Sequence, residues 1–148
     1  MKVLVAYDGT LQAKDALRYG MEKVEKVGGE VIALHIFNDN LFVDYGIAPK
    51  EVERARAEFA GYVEEAKRII REPESGVRGS VFVGEGDPEE ECIRFAKERN
   101  VDLLLCPPRY KSLAKKFRKV AEENGRAARE NTILDETEKL RMSMVSFQ

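Results

Sequence analysis

The sequence predicts one α/β domain of the doubly wound type, a parallel sheet with helices on both faces. Three observations carry this. Over about the first sixty per cent of its length the chain alternates short β-branched runs with long amphipathic stretches, the βαβα rhythm of a parallel sheet. The run 31–37 is apolar on both faces apart from His35, as a central parallel strand requires. A chain of 148 residues with 43% hydrophobic residues is also long and apolar enough to bury a core.

The elements follow in order. Val3-Leu4-Val5-Ala6-Tyr7 reads as the first strand, and Ala13, Ala16, Leu17, Gly20, Val24 and Val27 then recur at helical spacing until Gly28-Gly29 ends the helix. Residues 31–37 form the second strand. After the linker 38–48, Pro49 suits a first helical turn, and Val52, Ala55, Phe59, Val63, Ala66 and Ile70 line the apolar stripe of that helix, with Pro73 just beyond its end. The third strand, around 77–83, alternates apolar and polar residues as an edge strand does. Asp87-Pro88-Glu89-Glu90 places a capping aspartate, a proline at the first helical position and glutamate at the third. Cys92, Ile93 and Ala96 face inward before a fourth strand over 101–106. Leu113, Phe117, Val120 and Ala121 define a fourth helix, whose far end Asn124 and Gly125 blur. Residues 132–148 fit either a helix through Ile133, Leu140 and Met144 or a short fifth strand at 144–147. The strand is preferred, because an open sheet of this type gains one after its last helix. As the last strand of the sheet it would have one unpaired edge, which predicts a dimer interface near Met144, Val145 and Phe147.

Composition excludes several function classes. Lys+Arg 25 and Asp+Glu 27 nearly cancel to a formal charge of −2, so whole-molecule charge gives no reason to expect nucleic-acid or membrane binding. No apolar run approaches the ~20 residues of a membrane span, and Met1-Lys2 opens directly into a strand, so no signal peptide is expected and the cytoplasm is the expected location. Two cysteines and one histidine are too few for a disulfide framework, a four-cysteine zinc site or most catalytic triads. No metal, cofactor or catalytic residue is expected. Glutamine occurs only at Gln12 and Gln148 while Glu, Lys and Arg abound, a composition leaning toward heat-adapted proteins.

In a doubly wound sheet a ligand binds beyond the carboxyl ends of the strands, where neighbouring connections leave in opposite directions. With strand one between strands two and four, that crevice is flanked by Asp8-Gly9-Thr10 and by Pro107-Pro108-Arg109-Tyr110-Lys111. Thr10 can cap the first helix, whose N-terminal amides favour an anion, and Asp8 could accept from a ribose or amino group; both residues equally serve as turn and cap. The chain has no P-loop, and Gly84-Glu85-Gly86 lacks the third glycine of a dinucleotide fingerprint. His35 reads as a core residue rather than a base. Cys106, close in sequence to Arg109 and Lys111, reads as buried and inert rather than as an activated thiol. Residues 109–129 carry eight Lys or Arg against two Glu, a local +6 that leaves −8 elsewhere. This basic helix reads first as a solvated face, and the linker aromatics Phe42 and Tyr45 as packing or interface residues rather than a base-stacking platform.

Lys2-Val3-Leu4-Val5-Ala6-Tyr7-Asp8-Gly9-Thr10 resembles the opening of the universal stress protein (UspA-like) family, in which a strand ends in an Asp-Gly-Ser or Asp-Gly-Thr turn. Ala33-Leu34-His35-Ile36, Gly86-Asp87-Pro88-Glu89-Glu90 and Val101-Asp102-Leu103-Leu104-Leu105 resemble its second strand, its turn into helix three and its fourth strand, so the resemblance covers about residues 1–121. It implies an open five-stranded parallel sheet of order 3-2-1-4-5, helices on both faces, and a homodimer. The family's nucleotide-binding members hold ATP in the crevice, with the counterparts of Asp8 and of the backbone near Ile36 lining the base and ribose pocket. Their phosphates lie in Gly-x2-Gly-x9-Gly followed by Ser or Thr. Laid on this chain after strand four, that motif falls on Pro107, Tyr110, Val120 and Ala121, and every position departs. Proline lacks the amide and the larger residues block close approach.

The expected function is therefore a non-enzymatic regulatory or stress-linked module that does not bind ATP. Two alternatives stand beside it: a nucleotide-binding protein with a degenerate, slowly hydrolysing site, and a nucleic-acid-binding accessory using the basic fourth helix. Any ligand site is expected to take a small anion and to draw on Asp8, Gly9, Thr10, Ile36, Arg109, Lys111 and Lys115.

Overall fold

A computed structural model describes residues 1–38, 46, 48–73 and 76–147. The linker aromatics Phe42 and Tyr45 lie outside the described residues. In chain order the elements are β1 (Lys2–Ala6), α1 (Leu11–Val27), β2 (Glu30–Phe37), α2 (Pro49–Arg71), β3 (Arg78–Glu85), α3 (Pro88–Arg99), β4 (Leu103–Cys106), a 3₁₀ turn at Pro108–Tyr110, α4 (Lys111–Glu123), β5 (Ala128–Leu134) and β6 (Leu140–Phe147). They form one six-stranded sheet of order β3-β2-β1-β4-β6-β5.

The first four strands are parallel, with Val3 opposite both Val31 of β2 and Leu103 of β4. Alternation along each strand divides the core into two layers. Val3, Val5, Val31, Ala33 and Leu105 point to one face, where α1 and α2 supply Ala16, Leu17, Ala66 and Ile69. Leu4, Ala6, Ile32, Leu34 and Leu104 point to the other, against Ala96 of α3 and Leu113 and Phe117 of α4. A fully buried side chain such as Leu17 contributes roughly 2 kcal/mol, so these two layers hold the central strands on both sides. The helix-start residues act as their types predict: Thr10 Oγ1 accepts from the Ala13 amide at 3.1 Å, and Asp87 Oδ2 from the Glu90 amide at 3.0 Å.

After α4 the chain departs from the expected all-parallel, five-stranded arrangement. It forms a hairpin, with β6 antiparallel to both β4 and β5. The side chain of Asp135 makes the reversal: Oδ1 accepts from the Thr137 amide (2.9 Å), the Thr137 hydroxyl (2.7 Å) and the Lys139 amide (3.0 Å), while Glu138 takes a φ of 63°. Apolarity decides which arm lies inside. Met142 and Val145 of β6 are fully buried on opposite faces, whereas β5 carries Arg129, Glu130, Asn131 and Thr132 and sits at the rim. The strand at 144–147 therefore exists, extended back to Leu140, but it is paired along both sides. The free edges of the sheet are β5 and β3, and Val145, expected at an interface, is core.

Candidate functional site

The crevice lies where the chain order reverses, beyond the carboxyl ends of β1, β2 and β4. Tyr7 donates its amide to Leu34 O at 2.9 Å, so pairing holds the chain up to the residue before Asp8. Asp8 Oδ1 then accepts from the Thr10 amide (3.1 Å) and hydroxyl (2.6 Å), shaping the turn into α1. Its second oxygen, Oδ2, is buried and has no partner. Gly9 between them has a φ of +79°, and a side chain there would strike the Tyr62 ring of α2. Glycine is required on both counts.

Two adjoining cavities, of about 500 and 470 Å³, share a floor made by Asp8, His35, Phe37, Phe59 and Arg109. The first extends toward Ile36, Asn38, Asp87, Glu89 and Tyr110, the second toward Gly9, Thr10, Glu58 and Tyr62. Of the residues picked out from sequence, Asp8 and Arg109 line both cavities, Gly9 and Thr10 the second and Ile36 the first. Lys111 and Lys115 are exposed on α4 and line neither.

His35 is buried under Phe59, the two rings stacked with centroids 3.8 Å apart, and Tyr7 meets it edge-on at 5.7 Å. Burial pulls its pKa down to about 4, so it is neutral in the pH range where histidine ordinarily titrates, and its Nδ1 has no partner. Burial also raises the Tyr110 hydroxyl to about 12, with Asp8 adding to the effect. The two thiols are inert for the same reason: Cys106 is completely buried and held well above its ordinary pKa, and Cys92 rises to about 12.

The loop after β4 has few amides to offer. Pro107 and Pro108 have no N–H, and the Tyr110 amide already donates to Pro107 O at 2.9 Å. The Lys111 amide is likewise committed, to Pro108 O. Across the mouth, Glu89 of α3 accepts from Ser112 at 2.5 Å and from Lys116 of α4, joining the first turns of the two helices; both hydrogen bonds lower the Glu89 pKa. Among the described residues, the carboxylates lining the cleft are thus Asp8, Glu58, Asp87 and Glu89, against the guanidinium of Arg109. Among the described residues there is no cluster of His, Cys, Asp or Glu able to hold a metal ion, and no helix is long and apolar enough to cross a membrane.

Sequence reasoning missed Tyr62, Glu58 and Asn38 as parts of the cleft, and placed Phe59 in the helix core stripe. α2 spans 23 residues, roughly 34 Å at the α-helical rise, longer than the strands it covers. Its buried residues, Ala66 and Ile69, all lie in its second half. The part before Ala66 therefore overhangs the carboxyl ends of the strands, and Phe59 and Tyr62 become a wall. The pair of aromatics one turn apart was the only signal.

A doubly wound sheet with its cleft at the β1 switch point defines a class of small α/β domains. The chain belongs to the universal stress protein family, whose family model matches residues 1–123. None of the curated proteins compared with it matches. Among solved structures it is similar to a universal stress protein family member from Burkholderia pseudomallei, with 25% identity, 81% of this chain and 89% of the other covered, and a TM-score of 0.61. A universal stress protein from Archaeoglobus fulgidus aligns over 80% of this chain and 85% of its own at 18% identity and a TM-score of 0.59. A universal stress protein in complex with cAMP aligns over 70% and 69% at 16% identity and 0.53. The C-terminal hairpin lies beyond the residues that the family model matches.

Proposed function

We propose that this protein is a non-enzymatic, stress-linked regulatory module whose cleft does not take a nucleoside triphosphate. The observation that carries this reading is the turn after β4. A triphosphate needs several backbone amides converging on its oxygens. Here two consecutive residues have no amide hydrogen, and the Tyr110 and Lys111 amides are spent inside the turn. Among the described residues of the cleft, Asp8, Glu58 and Asp87 would also repel the phosphates, with Arg109 to offset them, while Glu89 is paired with Lys116. Titration calorimetry with Mg-ATP, together with a phosphate-release assay, tests the reading. No saturable heat up to millimolar nucleotide and no phosphate release are expected. Micromolar binding abolished by Asp8→Ala would overturn it.

One observation favours a second reading, a degenerate nucleotide site. A structural relative is described in complex with cAMP, and a cyclic monophosphate needs fewer phosphate contacts than a triphosphate. The same calorimetry with cAMP separates the two, since saturable cAMP binding without ATP binding supports the second.

A further inference from the structure

We propose that the cleft at the carboxyl ends of β1 and β2 binds a small organic cation carrying several N–H donors, of the guanidinium or alkylammonium class, held by Asp8 Oδ2. The assignment rests on the same cleft being closed to triphosphates. It reverses the sign of ligand that the basic segment 109–129 brings to mind.

Three buried acceptor-capable atoms without partners converge on this one cleft: Asp8 Oδ2, His35 Nδ1 and Asn38 Oδ1. Asp8 is 7% exposed and His35 6%, so neither group exchanges freely with bulk water. Leaving a buried polar group unpaired costs free energy, and three such atoms facing one space are matched by a ligand that brings several donors. Asp8 and Asn38 offer oxygens that only accept. A neutral histidine accepts at one ring nitrogen, so His35 Nδ1 can do the same with its proton on Nε2.

Charge points the same way. Among the described residues, Asp8, Glu58, Asp87 and Glu89 line the two cavities against Arg109, and even after Lys116 neutralises Glu89 the balance is acidic. The walls are aromatic, with Phe37 and Phe59 on the shared floor and Tyr62 and Tyr110 at either side. Ring faces attract ammonium and guanidinium groups. The rim already holds one guanidinium in this manner: Arg56 lies 4.6 Å from the centroid of the Phe37 ring while Nη1 donates to Glu85 at 2.9 Å. Anions meet none of these features except Arg109.

Agmatine, which carries a guanidinium at one end and an ammonium at the other, is the probe. Amide NMR of the full chain would be followed during its titration at constant ionic strength, beside parallel titrations with inorganic phosphate and with Mg-ATP. Saturable shifts centred on Gly9, Thr10, Ile36 and Asn38 are expected with agmatine only. Asp8→Asn should weaken binding about tenfold or more, the scale of a hydrogen bond to a charged group. Arg109→Ala, at an exposed position, should strengthen it about threefold, the scale of removing one exposed like charge. Absence of saturable agmatine shifts, shifts centred elsewhere, or weaker binding in Arg109→Ala would each overturn the proposal, as would phosphate shifting the same amides. ATP binding at these amides would instead overturn the reading of a cleft closed to triphosphates, whatever agmatine does.

Discussion

The two ends of the sheet carry cavities of the same size and opposite character. At the amino ends of the strands a cavity of about 500 Å³ is lined by Lys2, Glu30, Arg78, Asn100 and Asp102, among others. Lys2 and Asp102 at its centre are committed to the fold. The Lys2 amide donates to Asp102 Oδ2 at 2.8 Å and Lys2 Nζ to Arg99 O at 2.8 Å; the Asp102 amide returns a bond to Lys2 O at 2.9 Å, and Asp102 O accepts from Phe147 at 3.0 Å. Among the described residues no buried unpartnered atom lines that end. The carboxyl end, with a cavity of about 500 Å³, has three. Volume therefore does not distinguish a site from a gap between elements, whereas unspent hydrogen-bonding capacity does. One end is organised for the fold, and the other is left incomplete by the fold.

The strongest way to break this contrast is through His35. Its folded pKa of about 4 lies below the unfolded value of 6.5, so between these values the unfolded chain binds the extra proton. The stability that His35 contributes is fully present above pH 6.5 and is lost as pH falls toward 4. A shift of this size corresponds to about 3 kcal/mol. Phenylalanine retains the stack on Phe59 and cannot be protonated. Urea unfolding at pH 7 and pH 4 should show wild type losing about 3 kcal/mol more than His35→Phe over that interval. Equal losses would mean that His35 is accessible to protons in the native state, and that the carboxyl end is as well solvated as any surface.

A smaller effect belongs to the amino end. Asp102→Ala removes the acceptor of the Lys2 amide in a part-buried bond. Stranding a donor of this kind costs roughly 1–3 kcal/mol, and the same urea titration at pH 7 measures it. A neutral outcome would show that the amino end is no more committed to the fold than the cleft, and the contrast would lose its basis.

The difference between the two regions also explains how far the sequence could be read. The elements β1 to β4 and α1 to α4 follow from periodicity, because each buries a regular stripe or a doubly apolar run. The terminal hairpin does not, since its turn has neither glycine nor proline and depends on the Asp135 side chain, while β5 is polar on both faces and shows no alternation. Asp8, Gly9, Thr10 and Arg109 were visible because topology alone sends those loops to the crevice. Phe59 and Tyr62 were not, because a helical stripe looks the same in sequence whether it lies over the sheet or projects past its end. Lys111 and Lys115 were misplaced for the complementary reason: sequence proximity to the loop put them near the crevice, and the rotation of α4 turned them outward.

The smallest expected effect is the most specific. Asp8→Asn preserves the shape of the side chain and an acceptor for Thr10, and at Oδ2 it replaces a charged oxygen that has no partner. Two terms oppose each other. The bonds from Thr10 lose the strength they gain from a charged acceptor, while a buried, uncompensated charge is removed. Their near-cancellation predicts a change in unfolding free energy below about 1 kcal/mol, less than Asp102→Ala despite the deeper burial of Asp8. Burial alone would rank the two substitutions the other way round. Measuring both in one urea series at pH 7 decides which rule applies: a larger loss at Asp8 would show that its second oxygen is already engaged in holding the fold, leaving nothing there for a ligand to complete.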